Sequence, residues 1–236
     1  MNWIVALVGS GEFTQAMAEV DRALLASTGR DRPRAAIVPT ASWPDGEAIF
    51  MRWAAQGEAH FAALGAVPVS VLIRDRASAD DPVAVAGISD ADLIYLSGGK
   101  PGHLLAMLRD SAAGAALREA HARGAVIAGC SAGAMVLGGH QIRTGGRGFL
   151  QPPLSWQDGL GLVPGLVVVP HYDAIPETLV APLVLAAPEG AVVVGIDEET
   201  AVVGRDGAWQ VHGRGRVTVW RGRRRERHRA GSAVSF

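Results

Sequence analysis

The sequence predicts an α/β/α sandwich, in which helices cover both faces of a mostly parallel central sheet. Between residues 3 and 139, short apolar runs alternate with segments of helical periodicity, a pattern typical of parallel sheets. One of these runs leads directly into a small-residue helix at Gly129–Gly133, as a strand does at the carboxyl edge of such a sheet. Several short strand-like runs follow residue 165, and they indicate an additional C-terminal β meander.

The strands of the central sheet are predicted where apolar residues run with little interruption. These runs are Trp3–Val8, Ala35–Pro39, Val67–Ile73, Asp92–Ser97 and Val126–Cys130. Such runs are typical of strands that are buried on both faces. A polar loop rich in Asp, Arg and Ser is expected between the third strand and the fourth.

Helices are predicted between these strands from the spacing of apolar residues. The first covers Thr14–Ser27, and Gly29 is placed to end it. The second runs from about Asp45 to Leu64 with its large apolar residues on one side, and Gly102 to Arg123 has helical patterns as well. These helices therefore have faces that can pack on the sheet.

The C-terminal part of the chain has a different character. Residues His140 to Gly161 are rich in Gly, Pro, Gln and Trp and have little periodicity, so we expect a long functional loop there. The strands predicted beyond it are Leu166–Val169, Ala191–Ile196, Ala201–Val203, Trp209–His212 and Val217–Trp220. Asp206-Gly207 indicates a hairpin turn, and the arginine-rich segment Arg221–Arg229 is expected to be a solvated tail. Because no repeat or boundary is visible, we expect one domain over residues 1–236.

The composition argues against several classes of function. With 49% hydrophobic residues, 19% charged residues and a net charge of −1, nothing indicates binding to nucleic acid or to a membrane surface. The N-terminal apolar run is too short for a signal peptide, and no stretch approaches the roughly 20 apolar residues of a membrane span. The single cysteine excludes an intrachain disulfide. We therefore expect a soluble cytoplasmic protein, and the sequence leaves open whether it is a homodimer.

The pentad Gly129-Cys130-Ser131-Ala132-Gly133 has the form of a nucleophile elbow. In an elbow, a tight strand-to-helix turn lifts one side chain above the edge of the sheet, and glycines on either side leave room for the crowded backbone. Ser131 is therefore the candidate nucleophile. Because the pentad alone also fits a small-residue junction with a bystander serine, the rest of the site has to support this interpretation.

A serine nucleophile needs a base, and the base needs an acid that orients it. His171 is the candidate base because it follows the strand Leu166–Val169, and functional groups collect at the carboxyl ends of strands in open α/β sheets. The other six histidines lie in helical, loop or C-terminal segments, where surface or packing roles are expected. Three carboxylates are candidates for the acid, namely Glu198, Glu199 and Asp173.

Backbone groups at the end of the strand that precedes the elbow strand are candidates for an oxyanion hole. Gly98 and Gly99 end that strand, and Ala132 begins the helix after the nucleophile. Glycine permits close approach of a substrate, and a helix N-terminus has free N–H groups. We expect the N–H groups of Gly98, Gly99 and Ala132 to bind the developing oxyanion.

These motifs together resemble the S51 serine peptidases, a family that contains aspartyl dipeptidase and cyanophycinase. The resemblance rests on Tyr95–Gly99, Gly129–Ala134, Pro170–Tyr172 and Gly195–Glu198, and it extends from Trp3 to about Trp220. It implies a class I glutamine amidotransferase-like (flavodoxin-like) fold. It also implies that Ser131 is the nucleophile, His171 the base and Glu198 the orienting acid, with a small peptide-like substrate and no cofactor.

The chain departs from this family after the base. Members that cleave after acidic residues carry an arginine there, whereas Asp173–Leu179 contains no arginine and adds acids. A substrate carboxylate is therefore expected to be repelled, unless Arg143 or Arg147 in the long loop takes the place of the arginine. Lys100-Pro101 also replaces the polar residue that is usual after the family's Gly-Gly.

Two other functions fit the same scaffold. A cysteine glutaminase would need a thiol at the centre of the elbow, but Cys130 lies one position early. A binding module without catalysis would keep the scaffold and hydrolyse nothing. Gly9-Ser10-Gly11 lacks the third glycine of a dinucleotide-binding fingerprint, and no Cys/His spacing indicates a metal site.

Overall fold

A computed structural model of the chain describes residues 3–143 and 155–236. The strands are β1 (Ile4–Val8), β2 (Arg34–Val38), β3 (Val67–Ser70), β4 (Leu93–Leu96), β5 (Val126–Cys130), β6 (His140–Ile142), β7 (Trp156–Asp158), β8 (Leu166–Val169), β9 (Val192–Ile196), β10 (Thr200–Arg205), β11 (Ala208–Gly213), β12 (Arg216–Arg221), β13 (Arg224–Arg229) and β14 (Ala233–Val234). The α-helices are α1 (Ala18–Ser27), α2 (Glu47–Ala63), α3 (Arg76–Ala79), α4 (Pro82–Ser89), α5 (Pro101–Leu108), α6 (Ala112–Ala122), α7 (Ala132–Leu137) and α8 (Glu177–Leu185). Short 3₁₀ turns cover Gln15–Met17, Thr40–Asp45 and Tyr172–Ala174.

The larger sheet has the strand order β14-β11-β10-β1-β5-β4-β2-β3. Strands β1, β5, β4, β2 and β3 pair in parallel, and β10, β11 and β14 extend the sheet in antiparallel fashion. The predicted α/β fold with a mostly parallel central sheet and C-terminal strands is therefore confirmed.

The alternation of side chains along β1 shows why both faces of this sheet are covered. Val5 and Leu7 lie in one hydrophobic cluster, together with side chains of α4 to α7. Ile4, Ala6 and Val8 lie in a second cluster on the opposite face, with side chains of α1 and α2. Because successive residues of a strand point to opposite faces, an all-apolar strand needs helices on both sides.

A second sheet has the order β13-β12-β9-β8, with β8 and β9 parallel. The segment Arg221–Arg229 is largely exposed, as expected, but it is not a tail, because most of it forms β13, the edge strand of this sheet. Arg225 and Arg227 of β13 both pair with Glu177 at the start of α8. The arginines therefore tie the edge strand to the helix that packs against this sheet.

Several elements were missed by the sequence analysis. The expected polar loop between β3 and β4 contains α3, which begins with a capping box at Asp75, and α4, which is capped by Asp81. The expected long loop His140–Gly161 contains the paired strands β6 and β7, and its residues 144–154 lie outside the described ranges. Helix α8 was not predicted either.

The first loop brings the two sheets together. A Cβ atom on Gly9, directly after β1, would lie 2.1 Å from the carbonyl oxygen of Asp197, directly after β9. Only glycine permits this approach without a shift of the backbone. The carboxyl ends of β1 and β9 therefore meet, and the side chains that follow them share one edge. In the described ranges, no helix has both the length and the apolar character needed to cross a membrane.

Candidate active site

Ser131 lies at the sharp turn between β5 and α7. Its backbone has a φ of 50° and a ψ of −109°. This conformation is rare for a residue with a side chain, and it places the hydroxyl above the sheet edge. Gly133 makes the turn possible, because a Cβ atom there would lie 2.2 Å from the carbonyl oxygen of Leu96 in β4. The geometry is that of the predicted nucleophile elbow.

His171 reaches Ser131 from the second sheet. It follows β8, and its own φ of 51° turns the chain so that the ring faces the elbow. Its Nε2 atom lies 2.9 Å from the Oγ atom of Ser131. This distance is within hydrogen-bond reach, which is the geometric requirement for a base that takes the hydroxyl proton.

Of the three candidate acids, Glu198 is the one that contacts the imidazole. Its Oε1 atom lies 2.9 Å from Nδ1 of His171. Asp173 instead accepts a hydrogen bond of 2.9 Å from the backbone N–H of Glu198. Glu199 points elsewhere and pairs with Arg214 at 3.0 Å. The three side chains thus have separate partners, and Asp173 supports the loop that carries Glu198.

The three predicted oxyanion donors differ in whether their N–H groups already have an acceptor within the protein. The N–H of Gly98 donates to Oε1 of Glu12 at 2.8 Å, so the prediction that it binds a substrate oxygen needs correction. The N–H groups of Gly99 and Ala132 have no acceptor among the described residues, and both residues line the cavity beside Ser131. These two backbone N–H groups therefore stay the candidates for binding a negative oxygen.

Glu12 was missed by the sequence analysis, although it belongs to the loop after β1. Its side chain is buried behind the elbow. One carboxylate oxygen accepts from Gly98, and the other lies 2.9 Å from Sγ of Cys130, whose thiol donates to it. The available signal was an acidic residue directly after Gly9-Ser10-Gly11, at the end of a buried strand.

Cys130 faces this buried side and not the cavity. Its side chain has no exposed surface. Burial, followed by the negative charge of Glu12, raises the pKa of the Cys130 thiol well above its ordinary value. Because a thiolate is the reactive form, this cysteine is unsuited to act as a nucleophile.

A cavity of about 460 Å³ opens beside Ser131. Its lining comprises Gly99, Pro101, Ser131, Ala132, Met135, Pro170, His171, Ala174, Ile175, Pro176 and Leu179. Arg143 does not line it, and Arg147 lies outside the described residues. Within the described ranges, no group of three or more His, Cys, Asp or Glu side chains is arranged to hold a metal ion.

Comparisons with known proteins agree on one family. The family model of peptidase family S51 matches residues 5–212. A cyanophycinase of Nostoc sp. is 35% identical over 165 residues, which cover 67% of this chain and 55% of the cyanophycinase. The uncharacterized peptidase YgaJ of Bacillus subtilis is 30% identical over 174 residues, covering 73% of this chain and 70% of YgaJ. The chain spans about half the length of the cyanophycinases that it matches.

A solved structure supports the same assignment. The crystal structure of a peptidase from an acI-B1 Actinobacterium superposes with a TM-score of 0.88 and is 32% identical. The match covers 100% of this chain and 98% of that peptidase. The similarity therefore extends over both sheets.

Proposed function

The chain belongs to peptidase family S51, and from this membership we propose that it is a serine-type peptidase that cleaves small peptide-like substrates through an acyl-enzyme. The observation that carries the proposal is the chain of two hydrogen bonds, each 2.9 Å long, from Ser131 through His171 to Glu198. A continuous nucleophile–base–acid arrangement is the geometry that activates a serine hydroxyl.

The reaction uses these residues in sequence. His171 takes the proton of Ser131 as Oγ attacks the substrate carbonyl, and Glu198 stabilises the imidazolium that forms. The N–H groups of Gly99 and Ala132 bind the negative oxygen of the tetrahedral intermediate. His171 then gives its proton to the departing amine, which leaves the acyl group bonded to Ser131. Water, activated by the same imidazole, releases the acyl group as an acid.

A panel of dipeptides and amino acid esters tests the proposal. We expect turnover by the wild-type protein and none above background by Ser131→Ala, with the melting temperature of the variant unchanged to within a few degrees. Ser27→Ala, at the C-terminal end of α1, is a matched control that should keep full activity, because Ser27 does not line the cavity. A wild-type protein that hydrolyses no member of the panel would favour the binding-module alternative.

We further propose that residues 1–236 form one domain and that the protein acts in the cytoplasm without a cofactor. One domain is supported by the largest hydrophobic cluster, which contains side chains of both sheets. The cytoplasmic assignment is supported by the single cysteine, which suits a reducing compartment. The reaction above needs only the attack by Ser131, the proton transfers by His171 and a water molecule, so no cofactor takes part in it. Limited proteolysis and cell fractionation test the first two points.

A further inference from the structure

The cavity beside Ser131 offers a substrate an almost entirely apolar surface. One wall is formed by Pro101 at the start of α5 and by Ala132 and Met135 of α7. Another wall is formed by Ile175, in the turn before α8, and by Leu179 of α8. Among the described residues that line it, His171 is the one with a titratable side chain. A volume of about 460 Å³ lies within the range of small-ligand sites, roughly 300–1,000 Å³.

We propose that this cavity binds an apolar side chain on the residue that carries the scissile carbonyl, an inference that rests on the proposed peptidase function. Ser131 and the two oxyanion donors, Gly99 and Ala132, all line the cavity. Any carbonyl held by these groups has its own side chain within a few ångströms, because the two are covalently linked. That side chain therefore meets the apolar walls.

Three charged side chains adjoin the described lining residues in the chain, and each already has another partner. Asp173 accepts from the backbone of Glu198, and Glu177 is bound by Arg225 and Arg227 of β13. Lys100 pairs with Asp45 at 3.2 Å. No cation among the described residues lines the cavity to neutralise a substrate carboxylate, and burying an unpaired carboxylate is costly. An acidic side chain is therefore disfavoured here.

The second sheet holds one wall of this cavity in place. Glu177 begins α8, and its two ion pairs with β13 fix the N-terminal turn of the helix. Leu179 lies in that turn and is 51% exposed, facing the cavity. An exposed leucine beside a nucleophile is available to contact a ligand, and its substitution does not disturb the core.

A series of dipeptides X–Ala, with X as Leu, Met, Asp or Lys, tests the inference. We expect kcat/KM for Leu and Met to exceed that for Asp by roughly 10- to 100-fold, as for the transfer of an aliphatic side chain to an apolar site. Leu179→Arg should lower kcat/KM for Leu and raise it for Asp by about 10-fold each. Leu185→Arg is the matched control, since Leu185 lies on the same helix, is 62% exposed and does not line the cavity.

The outcomes separate this inference from the proposed function. Turnover that prefers Asp, or an equal effect of Leu179→Arg and Leu185→Arg on the Leu/Asp ratio, would overturn the apolar assignment and leave the peptidase function standing. No turnover of any X–Ala substrate, together with no turnover of the ester panel, would overturn both.

Discussion

Cys130 and Ser131 are neighbours in the chain, yet their side chains lie in opposite environments. The Ser131 hydroxyl faces an open cavity with an imidazole nitrogen at 2.9 Å. The Cys130 thiol is fully buried on the other side of the elbow, with the Glu12 carboxylate at 2.9 Å. Thiols are intrinsically better nucleophiles than alcohols, but only as thiolates. The comparison shows that the turn, and not the atom type, decides which residue is equipped to react.

The largest loss of activity is expected from substitution of His171, the proposed base, which lies on the side of the elbow that faces the cavity. His171→Gln removes the proton acceptor of Ser131, so kcat/KM on the best panel substrate should fall by at least roughly 1,000-fold. His140→Gln is the matched control, because His140 pairs with Asp158 at 3.3 Å in the β6–β7 hairpin and does not line the cavity. Similar activities for the two variants would show that His171 is not needed as a base. Ser131 would then have no activating group on the side of the elbow that faces the cavity.

Glu198 and Glu199 provide the next test. Glu198→Gln should lower kcat by roughly 100- to 10,000-fold, because an amide cannot stabilise the imidazolium and favours the wrong tautomer. Glu199→Gln should leave kcat within a few-fold of wild type, since its carboxylate pairs with the exposed Arg214. Steady-state kinetics of both variants measure the difference. A larger loss of kcat in Glu199→Gln than in Glu198→Gln would mean that Glu199 is the acid.

A smaller loss of activity is expected from substitution of Glu12, which lies on the buried side of the elbow. Glu12→Ala removes the acceptor of the Gly98 N–H and frees the peptide next to Gly99, the proposed oxyanion donor. Because the oxyanion groups act in the transition state, kcat should fall by roughly 10- to 100-fold with little change in KM. Glu12→Gln keeps a carbonyl oxygen for Gly98 and should recover most of kcat. A change in KM alone, or no rescue by glutamine, would mean that Glu12 does not position this loop.

Cys130 itself should give the smallest effect on activity. Because burial keeps the thiol protonated, reagents such as iodoacetamide at pH 7 should leave turnover unchanged.

The same thiol should make the stability of the fold depend on pH. Because the pKa of the Cys130 thiol is raised in the folded state, its stabilising contribution is present below the ordinary thiol pKa of about 8.5 and is lost as the pH rises above it. The melting temperature of Cys130→Ala should therefore fall less between pH 8 and pH 10 than that of wild type. An equal fall of the two melting temperatures, or rapid inactivation by iodoacetamide, would contradict the burial of the Cys130 thiol in its protonated form.

The site was more predictable from the sequence than the elements around it. Ser131 and His171 each follow an apolar strand, and functional groups collect at strand ends in α/β proteins, so both residues could be nominated. That their strands, β5 and β8, belong to two different sheets could not be read from these runs. The choice among Glu198, Glu199 and Asp173 could not be made, because it depends on local turns such as the φ of 51° at Glu199. Both partners of Glu12 lie more than 80 residues away in sequence. No local pattern records such contacts.

The surrounding elements were missed for other reasons. Helix α8 is apolar around most of its circumference and contains Pro182, so it has little of the periodicity that identifies an amphipathic helix. Strand β13 carries four arginines, one glutamate and one histidine, a composition that suggested a solvated tail. It forms a strand because it pairs with β12 and its arginines bind Glu177. Tertiary contacts override local composition in both cases.

The most direct test of the elbow is covalent labelling by a fluorophosphonate, followed by mass spectrometry of the intact chain and of its peptides. A serine activated by His171 should accept one phosphonyl group, and the adduct should map to Ser131. His171→Gln should react far more slowly, and Ser131→Ala should not react. A single adduct on another residue, or no adduct on a protein that hydrolyses the panel, would contradict the assignment of Ser131 as the nucleophile.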